Sequence, residues 1–130
     1  MRTLESKIEQ KVCRDALRMG VRNLKLNVTG QTGWPDRMFL IPGGRALFIE
    51  FKRPGSQVRP KQEYIHQVLR HLGYHVEIHD DPVRALQAIR QALDAALLSK
   101  EGSQVSVGTR RRRAVLGPRT GQDIDHAGRD

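Results

Sequence analysis

The chain contains almost no cysteine, and its apolar residues never form a long run. Because Cys13 is the only cysteine, an internal disulfide is excluded and a reducing compartment is favoured. No segment approaches the roughly 20 consecutive apolar residues of a membrane helix. The N-terminus is polar and does not resemble a signal peptide. We therefore predict a cytoplasmic protein without a membrane partner.

Acidic residues are also few, 14 against 23 Lys and Arg, which leaves a net charge of +9 and a pI of about 10.6. An excess of this size favours a polyanionic partner, most simply nucleic acid, although a merely basic surface would have the same composition. The phosphate-binding pattern Gly-x-x-x-x-Gly-Lys-Ser/Thr is absent. His71, His75 and His79 do not have a compact zinc-ligand spacing. His75 and His79 would share a strand side with Glu77, which we interpret as an ordinary solvent face.

Apolar periodicity predicts seven elements in the order α-β-β-β-α-β-α. They are a helix over 2–19, strands over 23–28, 38–41 and 46–51, a helix over 60–73, a strand over 74–79 and a helix over 82–97. The turn Pro42-Gly43-Gly44 makes the second and third strands a hairpin. The last strand follows a helical crossover and should lie parallel to strand 46–51. We predict an α/β fold, a mixed sheet flanked by helices.

The composition changes after residue 100. Residues 101–130 are rich in Gly, Ser, Thr and Arg, lack apolar periodicity and include the run Arg110 to Arg113. They hold six Arg and four acids, a charge of +2, so the first hundred residues hold the remaining +7. We predict a folded domain over 1–100 and a basic, disordered tail over 101–130.

Two carboxylates and one amine are spaced for metal-dependent chemistry. Asp36 follows Pro35 at the start of the hairpin, and Glu50 and Lys52 stand fourteen and sixteen positions later, at its end. An antiparallel hairpin brings its first and last residues together. Mg²⁺ prefers oxygen ligands, here the two carboxylates and the backbone carbonyl of Phe51. A bound divalent ion supports phosphodiester hydrolysis, and Lys52, on the same strand face as Glu50, would reach the water or phosphate.

Each part of this pattern has a simpler explanation when taken alone. Glu-x-Lys on a strand is commonly a solvent-facing pair, and Pro-Asp is commonly a turn. The combination favours a site, because an acid and a lysine inside apolar strands are costly to bury without a reason.

The pattern resembles the VRR-NUC family of the PD-(D/E)xK nuclease superfamily, especially its small stand-alone phage and bacterial members. The similarity rests on Gly33-Trp34-Pro35-Asp36, on residues 45–52 (RALFIEFK) and on Gln62, and extends from about Ser6 to His79. It implies a restriction-endonuclease-like α-β-β-β-α-β core, here with a further C-terminal helix. It also implies Mg²⁺ or Mn²⁺, a DNA substrate such as a four-way junction, a homodimer, and residence in a bacterial or phage-infected cell.

The resemblance also implies residue roles. The catalytic set becomes Glu9, Asp36, Glu50, Lys52 and Gln62, with metal ligands Asp36, Glu50, Phe51 and Glu9. The glutamate of the first helix is assigned to Glu9, with Glu5, one turn earlier, as the alternative. Trp34 departs from the family, in which smaller residues are more usual.

Basic residues follow the hairpin, and we predict that Arg53, Arg59 and Lys61 contact DNA phosphates. His66 is interpreted as a surface or half-buried residue outside the catalytic set. The prediction is a metal-dependent DNA endonuclease. The alternatives are a basic nucleic-acid-binding protein of the same fold without activity, and a structural or inhibitor-type partner whose acids are surface charges.

Overall fold

The computed structural model of the chain describes residues 2–102, with side chains to Ser99. Its seven elements follow the predicted order. They are α1 (Leu4–Arg18), β1 (Asn23–Lys25), β2 (Arg37–Ile41), β3 (Arg45–Phe51), α2 (Pro60–His71), β4 (His75–His79) and α3 (Pro82–Gly102). One compact unit ends at Leu97, and a second begins at Leu98. The predicted disordered tail falls outside the described residues and stays a prediction.

The four strands form one mixed sheet in the order β1-β2-β3-β4. β1 and β3 each pair antiparallel with β2, and β4 pairs parallel with β3. The predicted hairpin and the predicted parallel pairing are therefore confirmed.

Helices pack on both faces of the sheet. On one face, Phe39, Ile49 and Phe51 pack with α1 and α3 through residues such as Val12 and Ile89. On the other face, β3 and β4 pack against α2 through Phe48, Val76 and Leu69. Alternation along β3 thus sends Ile49 and Phe51 to one layer, and Glu50 leaves on the opposite side, as predicted.

Each of the three helices begins at a residue that favours a helix N-terminus. The Thr3 hydroxyl accepts a hydrogen bond from Ser6 N at 3.0 Å and begins α1. Pro60 occupies the first turn of α2, where its missing N–H costs nothing. Asp81 Oδ1 accepts from Val83 N at 3.2 Å at the start of α3. No helix among residues 2–102 is both long and apolar enough to span a membrane.

The first strand is shorter than predicted: β1 ends at Lys25, whereas the prediction extended it to Val28. Leu26 N still donates to Asp36 O at 3.0 Å. The next residue on the partner side is Pro35, which has no N–H to continue the ladder. The chain leaves the sheet there and forms the loop that leads to Asp36.

Candidate active site

The hairpin places Asp36 opposite Glu50. Arg37 pairs with Ile49 in the antiparallel register, so the residues just beyond, Asp36 and Glu50, face each other at the end of the ribbon. Asp36 Oδ2 accepts a hydrogen bond from the Phe51 N–H at 2.7 Å, which ties the loop to β3. The strand pattern therefore brings these two acids together, as the spacing predicted.

Glu50 is buried, with only 2% of its surface exposed. Its Oε2 accepts from Gln62 Nε2 at 2.9 Å and lies 3.6 Å from Lys52 Nζ. Its Oε1 is buried and has no hydrogen-bond partner among the described residues. A buried carboxylate oxygen without a donor is costly unless something else binds it. Glu50 therefore offers a free oxygen to a cation.

The pKa values of the two acids are shifted in the same direction. Burial raises the pKa of Glu50 to about 7, the Asp36 carboxylate adds to the increase, and Lys52 opposes it. Burial also raises the pKa of Asp36, although the hydrogen bond from Phe51 N opposes the change. Both acids are desolvated, and the charge of Asp36 disfavours the ionisation of Glu50, so the site would gain from a nearby positive charge.

Gln62 connects the acid to the lysine. Its Oε1 accepts from Lys52 Nζ and from Arg59 N, both at 2.9 Å, and its Nε2 donates to Glu50. This bonding pattern determines the orientation of the amide. Lys52 is itself only 6% exposed, so one side chain from the first turn of α2 bonds both Glu50 in β3 and the buried lysine that follows this strand.

The two candidate glutamates of α1 have different surroundings. Glu9 Oε2 accepts from Lys25 Nζ at 2.8 Å and from Arg37 Nε at 2.6 Å. Glu5 is half-buried and makes no hydrogen bond or ion pair with any residue in 2–102. The charge of Glu9 raises the pKa of Asp36, and the charge of Glu5 raises the pKa of both Asp36 and Glu50. Glu9 is therefore paired with two cations, whereas Glu5 has no such partner in residues 2–102 and acts on both acids.

Three basic residues flank Lys52 and Gln62 in the sequence. Arg53, Arg59 and Lys61 are exposed, and none forms an ion pair with another described residue. They follow β3 or begin α2, close in sequence to Lys52 and Gln62. Their charges are available to an external anion.

The donor set fits a hard divalent cation. Asp36 and Glu50 are converging carboxylates, and the Glu50 Oε1 atom is unsatisfied. Within residues 2–102, no three His, Cys, Asp or Glu side chains are close enough to hold a metal ion together. Two carboxylates and waters are a usual set for Mg²⁺, which keeps much of its hydration.

The interpretation of His66 as a surface or half-buried residue was wrong. The side chain is 0% exposed, and neither ring nitrogen has a hydrogen-bond partner in the described part of the chain. Burial lowers its pKa, and the Arg70 charge adds to the decrease, so the ring is neutral. Its place four residues after Gln62, next to Ile65 and before Leu69, was the available signal.

Sequence reasoning also missed the network around Glu9. Arg37 bonds Glu9 and also donates from Nη1 to Asn23 Oδ1 at 3.1 Å, while Lys25 pairs with Arg37 across the strands. Of the strand histidines, His75 is exposed and His79 Nε2 lies 2.7 Å from Glu77 Oε1.

Comparisons with known proteins agree with this architecture. The family model for the VRR-NUC domain matches residues 1–80. The protein named "Putative nuclease p44", of Acyrthosiphon pisum secondary endosymbiont phage 1, is 33% identical over 76 residues, which cover 58% of this chain and 82% of the relative. A solved VRR_NUC domain structure superposes with a TM-score of 0.62 at 23% identity, covering 68% of this chain and 97% of that one. The chain therefore belongs to the VRR-NUC family of nucleases.

Proposed function

We propose that this protein is a divalent-metal-dependent DNA endonuclease whose centre is the Asp36 and Glu50 pair. The observation that carries the proposal is the buried Glu50 carboxylate, which has one unbonded oxygen and faces a second desolvated acid. A purely structural acid would be fully hydrogen-bonded or would lie at the surface.

Mg²⁺ or Mn²⁺ would be held by Asp36, Glu50 and the Phe51 carbonyl. One carboxylate of α1 would complete the site through a metal-bound water, because no three acids within residues 2–102 lie close enough to share an ion directly. When bound, such an ion activates a water and neutralises the phosphate oxygens. The family resemblance assigns the α1 carboxylate to Glu9. The ion pairs favour Glu5, because Glu9 already accepts from Lys25 and Arg37. We propose Glu5 for this role.

Lys52 serves as the positioning and proton-handling group. Its ammonium is held by Gln62 and lies 3.6 Å from Glu50, and beside a metal bound there it would meet an attacking water or a scissile phosphate. Gln62 supports the site by satisfying Lys52 and Glu50 at once. Because both partners are buried, a change at Gln62 affects the two together.

The DNA is bound by the basic surface next to the site. Arg53, Arg59 and Lys61 would neutralise phosphates on either side of the cut. We propose branched DNA, such as a four-way junction, as the preferred substrate. A homodimer accompanies it, because cutting a symmetric junction on two strands suits two sites related by a twofold axis.

The direct test is to incubate purified protein and Mn²⁺ with a four-way junction, a flap and a linear duplex. We expect cleavage that EDTA abolishes and that is faster on branched DNA. Lys52→Ala should lower the rate by at least about 100-fold, the usual range for losing a proton-transfer group. Lys7→Ala, which removes an exposed lysine of α1, is the matched control and should cleave like the wild type. No cutting of any substrate, or unchanged cutting by Lys52→Ala, would refute the proposal.

A calorimetric Mn²⁺ titration separates the rival functions. The endonuclease should bind the ion, and Asp36→Ala should lose that binding. A nucleic-acid-binding protein without activity would bind DNA equally well with or without metal and with Glu50→Gln. A structural partner protein would show no increase in melting temperature on addition of Mn²⁺.

A further inference from the structure

A pocket lies beside the candidate active site, in the loop between β1 and β2. Its volume is about 310 Å³, and it is lined by residues of the segment 26–34. This is enough for one planar ring system, at the small end of ligand pockets. None of the proposed metal, catalytic or phosphate-binding residues lines it, so the proposed chemistry leaves it without a role.

The lining is neutral. None of the eight residues that line the pocket is Lys, Arg, His, Asp or Glu. Polar groups come from Asn27, Thr29, Gln31 and Thr32, and Trp34 supplies an aromatic ring. A phosphate would require cations. Amides, hydroxyls and an aromatic face are the groups that hydrogen-bond a nucleobase edge and stack on its ring.

The indole is held in a fixed orientation. Trp34 Nε1 donates to Gln31 Oε1 at 2.8 Å, and the side chain packs against the buried cluster of Phe48, Leu69 and Val76. A ring fixed in this way loses little freedom when it stacks on a ligand.

The pocket is also fixed relative to the site. Trp34 is two residues before Asp36, and the residue between them, Pro35, is fully buried. Gly33 has φ +96°, and a Cβ there would lie 2.6 Å from the Lys61 carbonyl oxygen and 3.3 Å from Gln62 N. The loop therefore contacts the first turn of α2, from which Gln62 reaches Glu50 and Lys52.

We propose that this pocket binds one unpaired nucleobase next to the scissile phosphate, with Trp34 stacking on the base. The inference rests on the proposed function and deepens it, because it names the feature of DNA that is recognised. In intact duplex every base is stacked and paired, whereas a base at a branch point is extruded at little cost. The pocket would thus favour branched or frayed DNA over duplex.

The chain has one tryptophan, so its fluorescence reports on Trp34 directly. The full-length protein in EDTA is titrated with a forked duplex, and with the same fork carrying abasic sites in place of the unpaired bases nearest the junction. We expect the first fork to quench the emission strongly, and the abasic fork to quench it less and to bind about tenfold more weakly, as expected for loss of one stacked base. Equal quenching and equal affinity would overturn the inference.

Variants supply a second readout. Trp34→Ala should lower the affinity for the base-containing fork by about tenfold and leave its affinity for the abasic fork unchanged, whereas Trp34→Phe should keep most of the difference between forks. Tyr64→Ala removes an aromatic side chain that is exposed on α2 and lies outside the pocket, so it should behave like the wild type. A Trp34→Ala protein that still distinguishes the two forks would contradict the proposal. Thermal unfolding checks that each variant is folded.

The two proposals fail in different ways. A protein that shows base-dependent quenching but never cuts DNA with Mn²⁺ retains the pocket and loses the nuclease mechanism. A protein that cuts DNA but quenches equally with both forks retains the mechanism and loses the pocket. The comparison of abasic and base-containing DNA uses the wild-type chain, so it does not depend on any variant folding.

Discussion

The buried environment that would suit Glu50 to metal binding also lowers the stability of the metal-free protein. Its carboxylate is removed from water, has one oxygen unbonded and faces a second acid, while Lys52 compensates only part of the cost. A bound cation would relieve this arrangement, because it supplies the positive charge that both acids lack. The metal-free protein should therefore carry an electrostatic penalty that depends on pH.

The pH dependence has a defined sign. With a folded pKa of about 7, Glu50 keeps its proton in the folded protein at pH values at which the unfolded chain has lost it. The free energy of unfolding should fall as pH rises from about 4.5 to about 7, and then level off. Since one pKa unit corresponds to about 1.4 kcal/mol, the loss should be about 3 kcal/mol. Urea unfolding in EDTA at a series of pH values measures it.

Glu50→Gln tests the origin of this slope. The amide does not titrate, so most of the fall between pH 5 and 7 should disappear, with a smaller part remaining from Asp36, whose pKa burial also raises. Asp94→Asn, at an exposed position of α3, is the control and should keep the wild-type slope. A Glu50→Gln profile that parallels the wild type would place the titration elsewhere.

Substitutions of the two glutamates of α1 are expected to have different effects, one on stability and the other on metal binding. Glu9→Gln should lower the free energy of unfolding by about 1–3 kcal/mol, because it removes the charged acceptor of Lys25 and Arg37. Glu5→Gln should leave stability nearly unchanged and weaken Mn²⁺ binding by about tenfold, the value for losing about 1.4 kcal/mol of ligand energy. Denaturation and calorimetry measure the two effects. The reverse pattern would assign the metal ligand to Glu9.

For individual residues, the sequence predicts some of the contacts in the candidate site and not others. Asp36, Glu50 and Lys52 could be placed together because strand register and alternation are simple geometry. Gln62 entered the catalytic set only through the family resemblance, and its hydrogen bond to Glu50 was not predicted. The burial of His66 and the pairing of Glu9 with Arg37 depend on how helices pack on the sheet, which local patterns do not encode.

Among the elements, the loop from Leu26 to Asp36 has the largest effect on the site. It begins where β1 loses its hydrogen-bonding partner at Pro35, and it ends at a metal-ligand candidate. The hairpin was predictable from its turn and apolar runs. The early end of β1 was not, because the strand pattern in Leu24, Leu26 and Val28 continues past the point where pairing stops.

Gly33→Ala tests how this loop is attached to α2. The added Cβ would meet the Lys61 carbonyl oxygen at 2.6 Å at a backbone conformation that also disfavours side chains. We expect a loss of about 2–3 kcal/mol in the free energy of unfolding, together with slower cleavage, since the displaced backbone carries Gln62. Chemical denaturation and the cleavage assay measure the two losses.

Gly30→Ala is the matched control, in the same loop. Gly30 also has a positive φ, +77°, but a Cβ there would meet nothing within 4 Å. Its cost should be limited to backbone strain, about 1 kcal/mol. Equal losses for the two variants would mean that the contact with α2 contributes nothing.

At the scale of the whole molecule, the net positive charge would attract DNA to the protein. The sequence predicts the excess charge and the overall α/β architecture, because both depend on composition and element order. Which cations face the substrate depends on the arrangement of elements around the site. The predicted boundary between a domain over 1–100 and a tail over 101–130 stays a prediction.

The salt dependence of DNA affinity distinguishes the charges next to the site from the net charge of the chain. Replacing Arg53, Arg59 and Lys61 together by Ala should reduce the slope of log affinity against log salt by about 3, since each phosphate contact contributes close to 1. A triple variant at Arg14, Arg84 and Arg90, which are exposed elsewhere, has the same net charge and should change the slope much less. Equal changes would indicate that only the total charge matters. Fluorescence anisotropy of labelled DNA over a salt series measures both slopes.

The buried Cys13 offers a probe of how often the domain opens. It is the chain's only thiol, it lies in the core between α1 and the sheet, and burial raises its pKa, which reduces the reactive thiolate. A thiol reagent should therefore label the native chain only during transient unfolding. A cysteine introduced at the surface would be modified selectively, and fluorophores or spin labels could be attached without removing the natural residue.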